Sequence, residues 1–244
     1  MKVFASDFDG TLYFYKETEK IKPVDSAAIR RFQAEGNAFG VCTGRSLQGV
    51  ILALPQPPEF DFYILASGAL IVDREHRSIY KRCLDFSLVA EIYGLYEGQA
   101  RIVIQANDTV YTLNAPYYPL QVHIDSLEAL ADGDIYGFSF GFDTAEDAAR
   151  IAAELNQRYS GMISAFQNVT NVDIVAAGCS KGSSLELVKA RFQAELSGGI
   201  GDSYNDIPML AAADRAFTFP FAPPEVQAQA HAVVGSVAEA LERL

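Results

Sequence analysis

The chain has 244 residues and half of them are apolar, so it can bury a sizeable core in one large domain or two modest ones. Its 31 acidic residues outnumber 19 basic ones, and the net charge of −12 argues against nucleic acid or an anionic membrane as a partner. The sequence predicts neither a membrane span nor a signal peptide. The three cysteines are far apart, which favours a reducing cytoplasm over a disulfide framework: Cys42, Cys83 and Cys179.

The first predicted strand begins almost at the N-terminus and stops at two aspartates. Its apolar run ends near Asp7, and Asp9, Gly10 and Thr11 follow. In open α/β sheets, ligands bind at the carboxyl ends of the strands. Crowded carboxylates raise each other's pKa, and a divalent cation relieves that repulsion. The run therefore predicts a metal site, although Asp-x-Asp-Gly alone is more often a turn or a calcium loop.

Helices and buried strands alternate in the next segments. The pattern predicts a helix from Pro23 to about Gly36 and then, in order, a strand over 38–42, a helix over 47–54 and a strand over 62–66, with Pro55, Pro57 and Pro58 breaking the chain before the last strand. Thr43 and Gly44 lead into a helix N-terminus, which is a natural seat for an oxyanion or a phosphate. This alternation predicts a parallel, doubly wound sheet.

The middle third has a different pattern of helix and hairpin. The predicted elements are a helix over 86–97, strands over 101–105 and 109–113 around an Asn107-Asp108 turn, a loop at Tyr117-Tyr118-Pro119, a strand over 135–142, a helix over 144–159, and strands over 163–167 and 172–175. We interpret residues 82–178 as an inserted α+β domain with hinges near Arg82 and Gly178. The core domain then consists of residues 1–81 and 179–244.

Strand and helix alternate again in the last third. A helix over 183–193 opens at Lys181-Gly182, and the later elements are a strand over 198–200, a helix over 208–213, a strand over 216–219 and a helix over 239–244. The strand over 198–200 is rich in glycine, which is expected to weaken it. It leads into Gly-Asp-Ser-Tyr-Asn-Asp at 201–206, a segment that by itself could simply cap a helix.

Four polar segments are thus expected at one edge of the sheet, with side chains suited to magnesium-dependent phosphoryl transfer. They are Asp-x-Asp-Gly-Thr at 7–11, Thr-Gly-Arg at 43–45, Lys-Gly at 181–182 and Gly-Asp-Ser-Tyr-Asn-Asp at 201–206. In order and spelling, these segments resemble the motifs of the haloacid dehalogenase superfamily of phosphatases. The resemblance covers the whole chain and favours the Cof-type branch, in which an α/β cap domain interrupts a Rossmann-like core between the second and third motifs.

The resemblance implies a role for each motif residue. Asp7 would be the nucleophile that becomes an aspartyl phosphate. Asp9 would protonate the leaving oxygen, and its carboxylate would be free to move protons. The phosphate would contact Thr43, the Gly44 N–H, Lys181 and Asn205, and Mg²⁺ would be held by Asp7, the Asp9 backbone carbonyl, Asp202 and, through water, Asp206. Asp206 could instead orient Lys181.

Several positions allow more than one interpretation. Arg45 could touch the substrate or pair with a carboxylate. Ser67 stands where the family usually has Asn, which puts a substrate contact there in question. The three histidines share no spacing that makes a site and are interpreted as structural: His76, His123 and His231. The specificity candidates in the insert rest on location alone: Arg101, Tyr111, Tyr117 and Tyr118.

The predicted function is hydrolysis of a phosphate monoester on a small metabolite such as a sugar phosphate, with Mg²⁺ as cofactor and no nucleic-acid or membrane partner. Two alternatives come from other classes. A phospho-accepting signalling domain also uses a strand-end Asp and a Lys, but Asp9 and the insert argue against it. A phosphate-binding module of the same fold without turnover is the second alternative.

Overall fold

A computed structural model describes residues 1–54, 58–116 and 120–244. The strands are β1 (Lys2–Ser6), β2 (Ala38–Cys42), β3 (Phe62–Leu65), β4 (Leu70–Asp73), β5 (Ser78–Lys81), β6 (Arg101–Ala106), β7 (Thr109–Thr112), β8 (Gln121–His123), β9 (Ile135–Gly141), β10 (Ile163–Asn168), β11 (Asn171–Ala176), β12 (Leu196–Ile200), β13 (Arg215–Thr218) and β14 (Ala232–Val233). The helices are α1 (Pro23–Ala34), α2 (Leu47–Ile51), α3 (Phe86–Tyr96), α4 (Ala145–Arg158), α5 (Lys181–Arg191), α6 (Ile207–Ala212), α7 (Pro224–Gln227) and α8 (Val237–Glu242). Short 3-10 turns cover Ala66–Gly68, Leu127–Leu130 and Tyr204–Asp206.

The larger sheet has the strand order β14-β13-β12-β1-β2-β3-β4-β5 in the described chain. Every pair from β14 to β3 is parallel, which confirms the predicted α/β fold with a parallel sheet. Strands β4 and β5 extend the sheet in antiparallel pairing and were not predicted. Strand β4 has only four residues after the turn that follows β3, too few to show a strand period.

A smaller sheet, formed entirely within residues 101–176, has the order β10-β11-β9-β6-β7-β8. The predicted hairpin of β6 and β7 turns at Asn107 and Asp108, and both have positive φ, as a two-residue hairpin turn requires. Helix α4 packs on β10 and β11, and Tyr96 of α3 packs on Phe140 of β9. The middle third therefore has its own sheet, two helices and an apolar interior.

Hydrogen bonds mark where the chain passes from one sheet to the other. The Arg82 N–H donates to Ala69 O at 2.8 Å, and two residues later the Leu84 N–H donates to Ile135 O at 2.8 Å. On the return, Gly178 has φ +81°, just before α5. On this basis we propose residues 82–178 as the inserted domain and these two crossings as its hinges.

Strand β12, which its glycines were expected to weaken, contains a glycine with a packing role. It is an internal strand, paired with β1 on one side and β13 on the other. A Cβ on Gly198 would lie 2.4 Å from the Phe4 ring, which stacks on Phe39 and Phe217. The missing side chain makes room for this aromatic stack, so the glycine contributes to packing.

A second glycine allows α5 and α6 to approach closely. A Cβ on Gly182 would lie 2.1 Å from the carbonyl oxygen of Pro208, whereas one on Gly94 in α3 meets nothing within 4 Å. Gly182→Ala is expected to lower the free energy of unfolding by about 1–3 kcal/mol, since a packed backbone must move. The control Gly94→Ala is expected to raise it by about 0.5–1 kcal/mol through helix propensity. Urea unfolding checks both, and equal effects would contradict the close-approach argument.

Within the described ranges, no helix is long and apolar enough to cross a membrane. The predicted chain break at Pro55 and Pro57 and the predicted loop at Tyr117-Tyr118-Pro119 lie outside the described residues.

Candidate active site

Three of the predicted motifs follow parallel strands of the larger sheet directly. Asp7 comes after β1, Thr43 after β2 and Asp202 shortly after β12. Strand β1 lies between β12 and β2, so these strand ends open on one edge of the sheet. Helix α5 begins at Lys181, and Ser180 caps it with a hydrogen bond from the Ser183 N–H to its hydroxyl. The topology thus brings the four motifs together.

A buried lysine links two of the predicted carboxylates. The side chain of Lys181 is 1% exposed, and its Nζ lies 2.6 Å from Asp7 Oδ1 and 2.5 Å from Asp206 Oδ1. The other oxygen of Asp206 accepts hydrogen bonds from the backbone N–H groups of Asp202 and Ser203, both at 3.0 Å. Asp206 therefore orients Lys181 and holds the turn that carries Asp202, one of the two roles expected for it.

The charges in this cluster are out of balance, because three carboxylates face one ammonium. Burial, and then the neighbouring Asp206, raise the pKa of Asp7 well above its ordinary value. Burial is also the main reason that the pKa of Asp202 rises to about 6. Burial alone would lower the pKa of Lys181, but Asp206 and Asp7 together raise it well above its ordinary value. The lysine therefore stays charged, but its single positive charge does not balance the three neighbouring carboxylates.

This deficit makes the cluster suitable for a divalent cation. One carboxylate oxygen from each of Asp7, Asp202 and Asp206 can be chosen so that all three lie within 4.8 Å of one another. Oxygen ligands are those that hard cations such as Mg²⁺ prefer. Thr11 fixes one of these ligands, since its hydroxyl donates to Asp202 Oδ1 at 2.5 Å. The side chain of Asp9 is outside the group, in keeping with a backbone role for Asp9.

The carboxylate of Asp9 is engaged, contrary to the expectation that it is free. Its two oxygens accept hydrogen bonds from Nε and Nη2 of Arg45, both at 2.7 Å. The guanidinium also lies over the rings of Phe8 and Tyr13 and donates to Gly49 O at 2.8 Å. Of the two interpretations of Arg45, pairing with a carboxylate is therefore the one observed.

The predicted phosphate-binding residues lie beside the cluster. Thr43 is buried, and its Oγ1 accepts a hydrogen bond from the Arg45 N–H at 3.1 Å. Asn205 is also buried, next to Asp206. Ser67 has φ +51°, and its N–H donates to Thr43 O at 3.0 Å, so the turn after β3 supports the Thr43 loop. A residue held in the left-handed region is common at functional sites.

Two residues of the insert reach these loops and were missed by sequence reasoning. Gln105 Nε2 donates to Gly44 O at 2.6 Å, and Ser67 Oγ donates to Asp173 Oδ2 at 3.3 Å. Asp173 could have been noticed as a single acidic residue in the predicted apolar strand over 172–175. Gln105 gave no such signal, since alternating polar residues are ordinary on a half-exposed strand.

The raised pKa of Asp202 leads to a testable dependence of stability on pH. Its ordinary pKa is 3.8 and its folded value is about 6, so between these values the folded protein holds a proton that the unfolded chain releases. The free energy of unfolding of the metal-free protein is therefore expected to decrease as pH rises through this window. Saturating Mg²⁺ should remove the decrease. Urea unfolding with EDTA or Mg²⁺ checks this, and an identical slope in both would mean that the cation binds elsewhere.

The model of the haloacid dehalogenase-like hydrolase family matches residues 4–240, and the chain belongs to that family. Pyridoxal phosphate phosphatase YbhA of Escherichia coli is 25% identical to it, over 96% of this chain and 93% of that protein. A haloacid dehalogenase-like hydrolase from B. subtilis is structurally similar, with a TM-score of 0.88, 22% identity and complete coverage of both chains. A sugar phosphatase of haloacid dehalogenase subclass IIB has a TM-score of 0.80 and 20% identity, over 100% of this chain and 98% of that one.

These matches confirm three predictions: the superfamily with its Cof-type branch, the α/β fold class and the enzyme class, a phosphoric monoester hydrolase. Phosphatases of this family generally use a divalent metal, and the cluster of Asp7, Asp202 and Asp206 is suited to hold one.

Proposed function

We propose that the chain is a Mg²⁺-dependent phosphatase that hydrolyses a small-metabolite phosphate monoester through an aspartyl phosphate on Asp7. The observation that carries this proposal is the buried contact of Asp7 with Lys181, with Asp202 and Asp206 beside it at the carboxyl ends of β1 and β12. A structural ion pair needs one carboxylate for one ammonium. Three carboxylates around one lysine suit a site completed by a cation and an anionic substrate.

In the first step, a carboxylate oxygen of Asp7 attacks phosphorus and the bond from phosphorus to the leaving oxygen breaks. Thr43, the Gly44 N–H and Asn205 hold the phosphoryl oxygens, while Lys181 balances the charge on them and on Asp7. Asp9 delivers a proton to the leaving oxygen. Because the Asp9 carboxylate contacts Arg45 in this structure, the transfer requires a change of side-chain conformation that separates the two.

In the second step, water attacks the aspartyl phosphate. Asp9 takes a proton from the water as the water oxygen bonds to phosphorus. The bond from phosphorus to the Asp7 oxygen breaks, inorganic phosphate is released and the Asp7 carboxylate is regenerated. Mg²⁺, held by Asp7, the Asp9 carbonyl, Asp202 and Asp206, would supply the positive charge that lets two anions approach.

The substrate class is inferred from the relatives and from charge. One relative is named for pyridoxal phosphate and another as a sugar phosphatase, so we propose a small phosphorylated metabolite, with a sugar phosphate favoured. The net charge of −12 disfavours nucleic acid and anionic membrane as partners. Cys42, Cys83 and Cys179 are free thiols, and we propose a cytoplasmic location.

Hydrolysis of p-nitrophenyl phosphate tests the proposal. We expect the EDTA-treated protein to be inactive and Mg²⁺ to restore release of nitrophenolate, because the uncompensated carboxylates repel the phosphate dianion. Ca²⁺ is expected to restore less activity than Mg²⁺, since its larger and looser coordination positions the reacting oxygens less well. If no divalent cation supports turnover while inorganic phosphate still binds, the alternative of a phosphate-binding module without turnover is correct.

A further inference from the structure

The side chain of Gln105, on strand β6, contacts the backbone of the Thr43 loop, residues 43–45. Its Nε2 donates a hydrogen bond to Gly44 O at 2.6 Å. Its Oε1 is buried and has no hydrogen-bond partner among the described residues. Turning the amide over would place Oε1 against the Gly44 carbonyl, where two acceptors repel each other. Gln105 therefore keeps its donor on this peptide, although a buried acceptor is left unsatisfied at a cost in free energy.

The bond from Gln105 fixes the second peptide of the Thr43 loop. A peptide unit is planar and trans, so a hydrogen bond to Gly44 O also sets the direction of the Arg45 N–H. That N–H donates to Thr43 Oγ1 at 3.1 Å. A hydroxyl that accepts a hydrogen bond still has its own hydrogen to donate, so the Thr43 hydroxyl can donate to a phosphoryl oxygen. Gln105 is thus connected to this hydroxyl through one rigid peptide.

The first peptide of the Thr43 loop is held from the core. The Ser67 N–H donates to Thr43 O at 3.0 Å, so the planar peptide points the Gly44 N–H in the opposite direction. In the proposed mechanism, this N–H and the Thr43 hydroxyl both hold phosphoryl oxygens. Such donors stabilise a transition state when they are oriented before the reaction begins. One of the two donors therefore depends on a core residue for its orientation, and the other depends on Gln105 of the insert.

We propose that Gln105 is a positioning residue for phosphoryl transfer, which holds the peptide between Gly44 and Arg45 so that the Thr43 hydroxyl faces the phosphoryl group. This inference rests on the proposed function. Gln105 acts through the Thr43 loop, so its effect is the same for every leaving group. The contact also makes the orientation of a phosphate donor of the core depend on a side chain of the insert.

Gln105→Met tests the proposal, because methionine keeps the length of the side chain and removes the donor. We expect kcat/KM to fall about tenfold for p-nitrophenyl phosphate and by the same factor for 4-methylumbelliferyl phosphate, as for the loss of one oriented hydrogen bond. Orthovanadate, which mimics the phosphoryl group during transfer, should bind about tenfold less tightly.

Gln99→Met is the matched control. Gln99 Nε2 also donates to a backbone carbonyl, that of Leu95 at 2.9 Å, but on the exposed surface of the insert. The control removes the same type of hydrogen bond and should leave both substrates and orthovanadate binding unchanged.

A double-mutant cycle with Thr43→Val separates positioning from simple docking of the insert on the core. Without the Thr43 hydroxyl, Gln105→Met should weaken orthovanadate binding less than about twofold. A residue that only holds the two sheets together would weaken it by the same factor in both backgrounds. Titration calorimetry measures this binding without turnover. Gln105→Asn, whose amide is shorter by one methylene, should repeat the result and replaces Gln105→Met if that variant does not fold.

The proposal is overturned if Gln105→Met behaves like Gln99→Met, if the two substrates lose different factors, or if the effect on orthovanadate is equally large without the Thr43 hydroxyl. A wild-type protein that hydrolyses neither substrate with Mg²⁺ would instead contradict the proposed function.

Discussion

Asp7→Asn is expected to lower kcat for p-nitrophenyl phosphate by at least about a thousandfold, because a neutral amide cannot form the covalent intermediate. The fold should survive. The amide oxygen can still accept the hydrogen bond that Lys181 Nζ donates to Asp7 at 2.6 Å. Removing one of three crowded carboxylates also relieves repulsion, so the free energy of unfolding of the metal-free variant should equal or exceed that of the wild type. Steady-state kinetics and urea unfolding on the same preparation measure both.

Asp214→Asn is the matched control for this substitution. Asp214 accepts hydrogen bonds from Lys189 and Ser197, and its pKa falls to about 2, chiefly through the bond from Lys189. Its contribution to stability is present above the ordinary Asp pKa and is lost as pH falls through about 2. The control should therefore lose stability at neutral pH and keep its turnover. Wild-type turnover in Asp7→Asn would exclude Asp7 as the nucleophile.

Lys181→Met should lower the free energy of unfolding at neutral pH by about 3–5 kcal/mol, because it leaves buried carboxylates without their counter-charge. Asp206 is fully buried and Asp7 is nearly so. Activity should fall to background, since the phosphate and the nucleophile lose the same ammonium. The stability loss should shrink below about pH 6, the pKa of Asp202, where protonation of that carboxylate removes negative charge that the lysine balanced. Mg²⁺ should offset part of it at neutral pH.

Lys189→Met on the same helix provides the comparison. Its ammonium lies 2.6 Å from Asp214, but the side chain is 32% exposed, so solvent weakens the pair. Lys189→Met is therefore expected to lower the free energy of unfolding by less than about 1 kcal/mol. Chemical unfolding at two pH values, with and without Mg²⁺, compares the variants. Equal losses for the two lysines would mean that the buried cluster is not the electrostatic centre described above.

Much of the fold could be predicted from local patterns. Strand β2 was predicted with its exact bounds, and Thr144, predicted to open its helix, caps α4 with a hydrogen bond from the Asp147 N–H to its hydroxyl. Strands β4 and β8 were missed, because a run of three or four residues beside a turn has too little periodicity to stand out. Strand β12 was found but judged weak, since its glycines make sense only with the Phe4 ring in place.

In the candidate site, too, some features could be predicted from the sequence and others could not. Three of its four motifs could be predicted because each follows a strand and the carboxyl ends of parallel strands meet, and the fourth opens helix α5. The pairing of Asp9 with Arg45 could not be, since side-chain choice between a substrate and an ion partner depends on the rings of Phe8 and Tyr13 beneath the guanidinium. Nor could the approach of Asp173 to Gly44, which depends on how two sheets dock.

The sequence by itself determined the family and the enzyme class, because the order and residue types of its motifs are those of the haloacid dehalogenase-like hydrolases. Tertiary structure alone decided the charge state and the surroundings of that site. Burial and mutual distance set the pKa of Asp7, Asp202 and Lys181, and neither can be read from residues up to 195 positions apart. The contact of Asp173 with Ser67 is likewise a product of docking.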